Sequence, residues 1–297
     1  MSSTPDGGQH ARERMLTGIP VRERRLQLAG VPTALLEGGD GPPMVLLHGP
    51  GEFAAAWLPV LPELIRTHRV IAPDLPGHGA SGATEGGLDA DRVLDWLGEL
   101  IEATCTSPPV LVGRVIGGAI AARFAAHHGD RLARLVLVDT LGLAPFEPAP
   151  RFGLALQRFL ARPSAGNYDR FMEFCTYDLD RARELMGQRW ASYSTYAVQL
   201  AGTRSVQAAL GALIGQFAAV PIPPEELVRI EVPTHLIWGR HDLATPLQIA
   251  EAASGRYGWP LHVIEDAGDD PPLEQPAAFL AALRTVMDTP IAATVRS

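Results

Sequence analysis

Leu111-Val112-Gly113-Arg114-Val115-Ile116-Gly117-Gly118 joins an apolar run to an alanine-rich one. Pro109 to Gly113 reads as a buried strand and Gly117 to His128 as a helix, so the chain turns from one to the other within three residues. Leu132 to Val138 follows as a further strand. A strand, a helix and a strand in succession imply neighbouring parallel strands with the helix packed across them.

The alternation extends in both directions. Upstream, Arg25 to Leu36 reads as strand, tight turn at Gly30 and Pro32, and strand. Met44-Val45-Leu46-Leu47-His48 is an apolar run bounded by Gly41-Pro42-Pro43 and Gly49-Pro50-Gly51, the pattern of a fully buried central strand. Phe53 to Ile65 has helical spacing, Arg69 to Ala72 is a strand, and Leu88 to Glu102 is helical. Downstream, Thr234 to Gly239 and Leu261 to Glu265 read as strands, each followed by a helix, Pro246 to Tyr257 and Pro276 to Met287. The fold class is α/β, a mostly parallel sheet covered on both faces.

Between Leu141 and Glu231 the strands stop and only helical patterns remain, over 151–160, 168–174, 179–189, 195–201 and 206–217. We read 21–141 and 231–297 as one core domain, 142–230 as an inserted helical lid, and 1–20 as a disordered tail. Four of the five tyrosines and six of the nine phenylalanines lie in the insertion. They either form its own core or line an apolar pocket beneath it.

The formal net charge is −8, every one of the 25 basic residues is arginine, and no basic run occurs. These features argue against nucleic acid and anionic membrane as partners. Without a lysine, Schiff-base chemistry from a lysine amine is excluded. Cys105 and Cys175 fit no metal spacing and are expected to be free thiols. Residues 1–9 lack the apolar run of a signal peptide, and no apolar stretch is long enough to span a bilayer. The expectation is a cytoplasmic protein without cofactor or resident metal; its oligomeric state is left open.

Four motifs in order carry a resemblance. Val45-Leu46-Leu47-His48-Gly49-Pro50-Gly51 resembles the His-Gly loop after the third strand of α/β-hydrolases. Ala72-Pro73-Asp74-Leu75-Pro76-Gly77-His78-Gly79-Ala80-Ser81 is similar to the loop after the fourth strand. Leu236 to Asp242 resembles the strand that delivers the triad acid, and Ile264 to Asp269 the turn that delivers the triad histidine. The chain is therefore identified as resembling the α/β-hydrolase superfamily, in particular its lidded, epoxide hydrolase- or esterase-like members. The resemblance runs from about Arg25 to Met287. It implies the α/β-hydrolase fold, with a site at the carboxyl ends of the strands.

The resemblance also shows where this chain departs. The family's nucleophile elbow is Gly-x-Ser-x-Gly; the matching residues here are Gly113-Arg114-Val115-Ile116-Gly117, which put valine in the nucleophile position. Valine has no lone pair with which to attack a carbonyl. Asp269 occupies the histidine position and Asp242 the acid position. The second oxyanion donor would belong to Pro50, which has no N–H, unless Gly51 or Glu52 supplies one; Ile116 can supply the other.

The candidate site residues are thus Asp242 and Asp269 for any chemistry, and His48, Gly49, Pro50, Gly51, Arg114, Val115 and Ile116 for ligand binding. The two aspartates are expected to face each other, which raises one pKa. They would either transfer protons or be a relict pair neutralised by Arg114 or water. A metal held by Asp242, Asp269, Asp270 and Glu52 fits no known spacing. Three functions stay open: a triad-less protein binding a small hydrophobic molecule; a lyase, isomerase, decarboxylase or cyclase using the Asp pair, Arg114 or a lid tyrosine; and an ester or epoxide hydrolase with an unrecognised nucleophile such as Cys175.

Overall fold

Eight strands form one sheet in the computed structural model, which describes residues 6–83 and 87–290. They are β1 (Arg22–Leu28), β2 (Val31–Gly38), β3 (Pro43–Leu47), β4 (Arg69–Pro73), β5 (Val110–Arg114), β6 (Arg134–Val138), β7 (Thr234–Gly239) and β8 (Leu261–Ile264). Their spatial order is β1-β2-β4-β3-β5-β6-β7-β8. β1 and β2 form an antiparallel hairpin, β2 pairs antiparallel with β4, and every later pairing is parallel.

The strand sequences account for this order. Every residue of β3, β5, β6 and β7 is buried, so these central strands are nearly continuous apolar runs. Along each, alternate side chains enter opposite cores. Met44, Leu46, Val110, Val112, Val136 and Val138 pack on one face with Trp57 and Phe279. Val45, Leu47, Leu111, Leu135 and Leu137 pack on the other with Trp96 and Phe124. β1 instead carries exposed arginines, which suits an edge strand that must not pair further.

Thirteen helices are described: α1 (Asp6–Leu16), α2 (Leu61–Leu64), α3 (Ala90–Thr104), α4 (Ile116–His128), α5 (Pro150–Ala161), α6 (Ala165–Cys175), α7 (Leu179–Met186), α8 (Arg189–Ala201), α9 (Arg204–Phe217), α10 (Pro224–Leu227), α11 (Leu247–Tyr257), α12 (Pro271–Glu274) and α13 (Pro276–Asp288). Of these, α5 to α10 lie between β6 and β7. Asp89, Ser164 and Asp178 cap α3, α6 and α7, each side chain accepting the N–H three residues on. α4 rests directly on the sheet, and a Cβ at Gly118 would fall 2.2 Å from Thr140 Oγ1, so only glycine allows that approach. No helix among the described residues is long and apolar enough to cross a membrane.

Three expectations need correction. The tail expected to be disordered over 1–20 holds a helix in its described part: α1 packs on α8, with Ala11, Arg12 and Met15 buried. Its buried face includes an arginine, paired with Glu23 at 2.8 Å and Asp74 at 3.0 Å, so apolar spacing gave no sign of it. The helix expected over Phe53 to Ile65 is split into a 3-10 turn at Ala54–Trp57 and the short α2, because Pro59 and Pro62 interrupt it. α7 ends at Met186 rather than Arg189, because Gly187 takes a positive φ of 54°.

Candidate functional site

Val115 stands alone between β5 and α4, with φ 50° and ψ −110°. A β-branched residue at positive φ is strained by about 1–3 kcal/mol and persists only where its surroundings enforce it. Here its N–H donates to Val138 O at 2.9 Å, and its carbonyl accepts from Leu141 N at 3.1 Å. The strand and the helix thus fix the turn between them, and the side chain at that turn is aliphatic.

Val115 forms part of the wall of a cavity of about 110 Å³. Pro50, Gly51 and Phe53 lie beside it, and Phe152, Phe159, Tyr168 and Tyr193 close the cavity from the inserted helices. Its charged wall consists of Glu52, Arg114, Asp269 and Asp270, and Gln207 adds a neutral polar group. Of the residues expected to bind a ligand, Pro50, Gly51, Arg114 and Val115 line this space; His48, Gly49 and Ile116 do not. His48 is wholly buried, with Nδ1 2.7 Å from Gly49 O and Nε2 accepting from Leu75 N at 2.9 Å, so it braces two loops. Ile116 is wholly buried in the core. Ser81, similarly, ties Ala34 N to Asp74 O.

Arg114 organises the polar wall. Its buried guanidinium donates through Nη1 to the carbonyl of Asp269 at 3.0 Å and through Nη2 to the Glu52 carboxylate, with Asp270 Oδ2 3.5 Å away. Burial disfavours the charge, but Asp270, Glu52 and Asp269 outweigh it and hold the pKa well above the ordinary arginine value. Glu52 Oε2 also accepts Gly49 N at 2.8 Å. A Cβ at Gly49 would lie 2.8 Å from that oxygen, so any larger residue there would push the Glu52 carboxylate aside.

The charge of Asp242 bears on both Asp269 and a third acid, Asp139. Asp242 Oδ1 accepts Ala244 N at 2.7 Å and Thr245 N at 2.9 Å, while Oδ2 takes the Thr245 hydroxyl. Burial pushes its pKa up to about 6. Burial, then Asp242, raise Asp269 well above the ordinary range, with Arg114 opposing. Asp139, just after β6, is raised well above its ordinary value by burial and then by Asp242. Its Oδ1 accepts Gly239 N at 2.8 Å, and its Oδ2 has no hydrogen-bond partner. Arg114 bonds the Asp269 carbonyl and neither carboxylate of the Asp242–Asp269 pair, although its charge opposes the rise at Asp269. No motif marks Asp139 in the sequence; its one signal is an acid directly after the apolar run Leu135 to Val138, at the carboxyl edge of the sheet.

Cys175 ends α6 and also lines the cavity. It is a free thiol, and burial followed by Asp269 and Glu52 raises its pKa well above the ordinary value. Its carbonyl accepts Asp269 N at 2.9 Å, so the insertion is tied to the Asp269 loop. Among the described residues no group of three or more His, Cys, Asp or Glu side chains is arranged to hold a metal ion, the suggested Asp242–Asp269–Asp270–Glu52 set included.

The model of the alpha/beta hydrolase family matches residues 44–283. This chain belongs to that family. Among its relatives, the 2-hydroxymuconate semialdehyde hydrolase of Pseudomonas sp. (strain CF600) is 29% identical over 275 residues, covering 88% of this chain and 92% of the relative. The pimeloyl-[acyl-carrier protein] methyl ester esterase of Aeromonas hydrophila is 30% identical over 260 residues, covering 82% and 94%. Among solved structures, the 2-hydroxy-6-oxo-6-phenylhexa-2,4-dienoate hydrolase from Rhodococcus sp. strain RHA1 superposes with a TM-score of 0.78 at 23% identity, over 90% of this chain and 98% of that one. That likeness shows the α/β-hydrolase fold.

Proposed function

We propose that this hydrolase-family chain binds a small, largely apolar molecule in the cavity beneath its helical insertion and does not hydrolyse esters by the serine mechanism. One observation carries the reading: the side chain at the strained strand-to-helix turn is Val115. An aliphatic group there can neither attack nor be activated. In the family pattern Asp269 stands where histidine would be and Pro50 where an oxyanion N–H would be. The Gly49 N–H is already taken by the Glu52 carboxylate, which sets a negative charge in the loop that would otherwise receive one. Loss of triad members costs about 10⁴–10⁶ in rate and loss of one oxyanion donor about 10²–10³. Cys175 is a poor replacement for the nucleophile, because burial, and then Asp269 and Glu52, disfavour its thiolate.

The carboxyl cluster favours a second reading. Asp139, Asp242 and Asp269 are buried carboxyls with raised pKa values, and Asp269 reaches the cavity. Such a cluster suits proton transfer in a lyase, isomerase, decarboxylase or cyclase. The net charge of −8 and the lack of a basic run keep nucleic acid and anionic membrane out of the partner set, and we place the chain in the cytoplasm.

Native mass spectrometry of the purified protein, together with a p-nitrophenyl acetate assay, separates the readings. Ligand binding predicts a low-mass ligand that dissociates intact and no ester turnover above buffer. Conversion of that ligand, lost in Asp242→Asn or Asp269→Asn, selects the second reading. Ester turnover abolished by Cys175→Ala refutes both.

A further inference from the structure

Arg114 is the only basic side chain on the cavity wall among the described residues, and it is already engaged. Glu52 and the Asp269 carbonyl take its hydrogen bonds, and Asp270 Oδ2 sits 3.5 Å from it. The wall therefore holds no free cation for an anionic ligand. Three acids, Glu52, Asp269 and Asp270, face this one guanidinium, with Asp242 and Asp139 behind them.

Asp270 supplies the second, independent observation. It is 3% exposed and lines the cavity, yet its Oδ1 has no hydrogen-bond partner. A buried carboxylate oxygen without a donor is costly unless a ligand satisfies it. Most of the same cavity's lining is apolar or aromatic, including Phe159, Phe171, Tyr168 and Tyr193. Aromatic faces accept a cation, and a carboxylate gives it a charge-assisted hydrogen bond.

We infer that the cavity selects a small ring-bearing molecule with a protonated amine, which donates to Asp270 Oδ1 while its ring packs among the aromatic side chains of the insertion. The ring follows from the volume: a cavity of about 110 Å³ is of the same order as the roughly 150 Å³ apolar cavity that takes benzene. The inference rests on the proposed ligand-binding reading and adds the chemistry of the head group.

Ligand-detected NMR titrations at neutral pH with benzylamine, toluene and benzoate test it. The three share a ring and differ in the charge of the head. Benzylamine is expected to bind about tenfold more tightly than toluene, and benzoate more weakly than toluene. Asp270→Asn should remove most of that tenfold preference, read as the ratio of the benzylamine and toluene affinities measured on the same variant. Ala197→Trp, which fills the cavity from α8, should abolish binding of both, placing them there. Benzoate binding as tightly as benzylamine overturns the inference, as does a benzylamine affinity indifferent to Asp270→Asn. Toluene bound without amine preference overturns this inference alone. Toluene unbound, or bound equally well by Ala197→Trp, overturns the ligand-binding reading and the inference with it.

Discussion

Replacing Arg114 with methionine should destabilise the fold in a pH-dependent way. The guanidinium is 2% exposed and holds Glu52, Asp270 and the Asp269 carbonyl. Removing one partner of a buried ion pair costs about 3–5 kcal/mol, because the other charge is left behind. For 297 residues, an unfolding entropy of about 2.1 cal/mol/K per residue converts that loss to a fall in melting temperature of about 5–8 °C. The carboxyls left behind can escape by taking protons. Asp270 already has its pKa pushed up to about 7, by burial and against the pull of Arg114, so losing Arg114 raises it further. In acid the orphaned carboxyl is neutral and the cost shrinks; above about pH 7 it must ionise in a buried site or hold its proton at a penalty. Calorimetry should therefore show the full loss at about pH 8 and less than half of it at about pH 5. A loss equal at both pH values, or larger in acid, refutes the assignment of Arg114 as counter-ion to this wall.

Three further outcomes follow from the same structure. Asp242, Asp270 and Glu274 have folded-state pKa values near 6, 7 and 8, above their ordinary values, chiefly through burial. Above about pH 6.5 the buried histidines His48 and His78 are neutral in both states, and the raised carboxyls make the folded chain bind more protons than the unfolded one; the wild type should therefore lose stability as pH rises from about 6.5 to 8, and a melting temperature that rises across that range contradicts this. Glu37 is the opposite case: hydrogen bonds from Arg69, Arg24 and Arg22 outweigh burial and lower its pKa to about 2. Glu37→Gln should cost about 2 kcal/mol at neutral pH in urea unfolding, the difference fading as pH falls below 4.5 toward 2. Gly239→Ala would put a Cβ 1.8 Å from Gly268 O, a clash of backbone with side chain that should cost more than about 3 kcal/mol; a soluble variant with wild-type unfolding disproves that packing.

The sheet was legible because its central strands are buried on both faces and so appear as unbroken apolar runs between glycine and proline. The turn at Val115 was legible because Gly113, Gly117 and Gly118 allow the helix to close on the strand. What stayed hidden depends on tertiary neighbours. Arg12 is buried only because Asp74, Glu23 and the ring of Tyr196 surround it, and none is near it in sequence. Asp139 resembles any acid at a strand end until the fold sets it against Asp242. The engagement of Arg114 with Glu52, 62 positions away, reassigns it from counter-ion of the Asp242–Asp269 pair to cornerstone of the cavity wall.

Labelling with a fluorophosphonate, read by intact-protein and peptide mass spectrometry, tests most directly whether position 115 is a vacated nucleophile site. The wild type should stay unlabelled, and the double variant Val115→Ser with Asp269→His should take one label, at position 115. Labelling of any residue in the wild-type cavity contradicts the account, and so does a label on the double variant at another position.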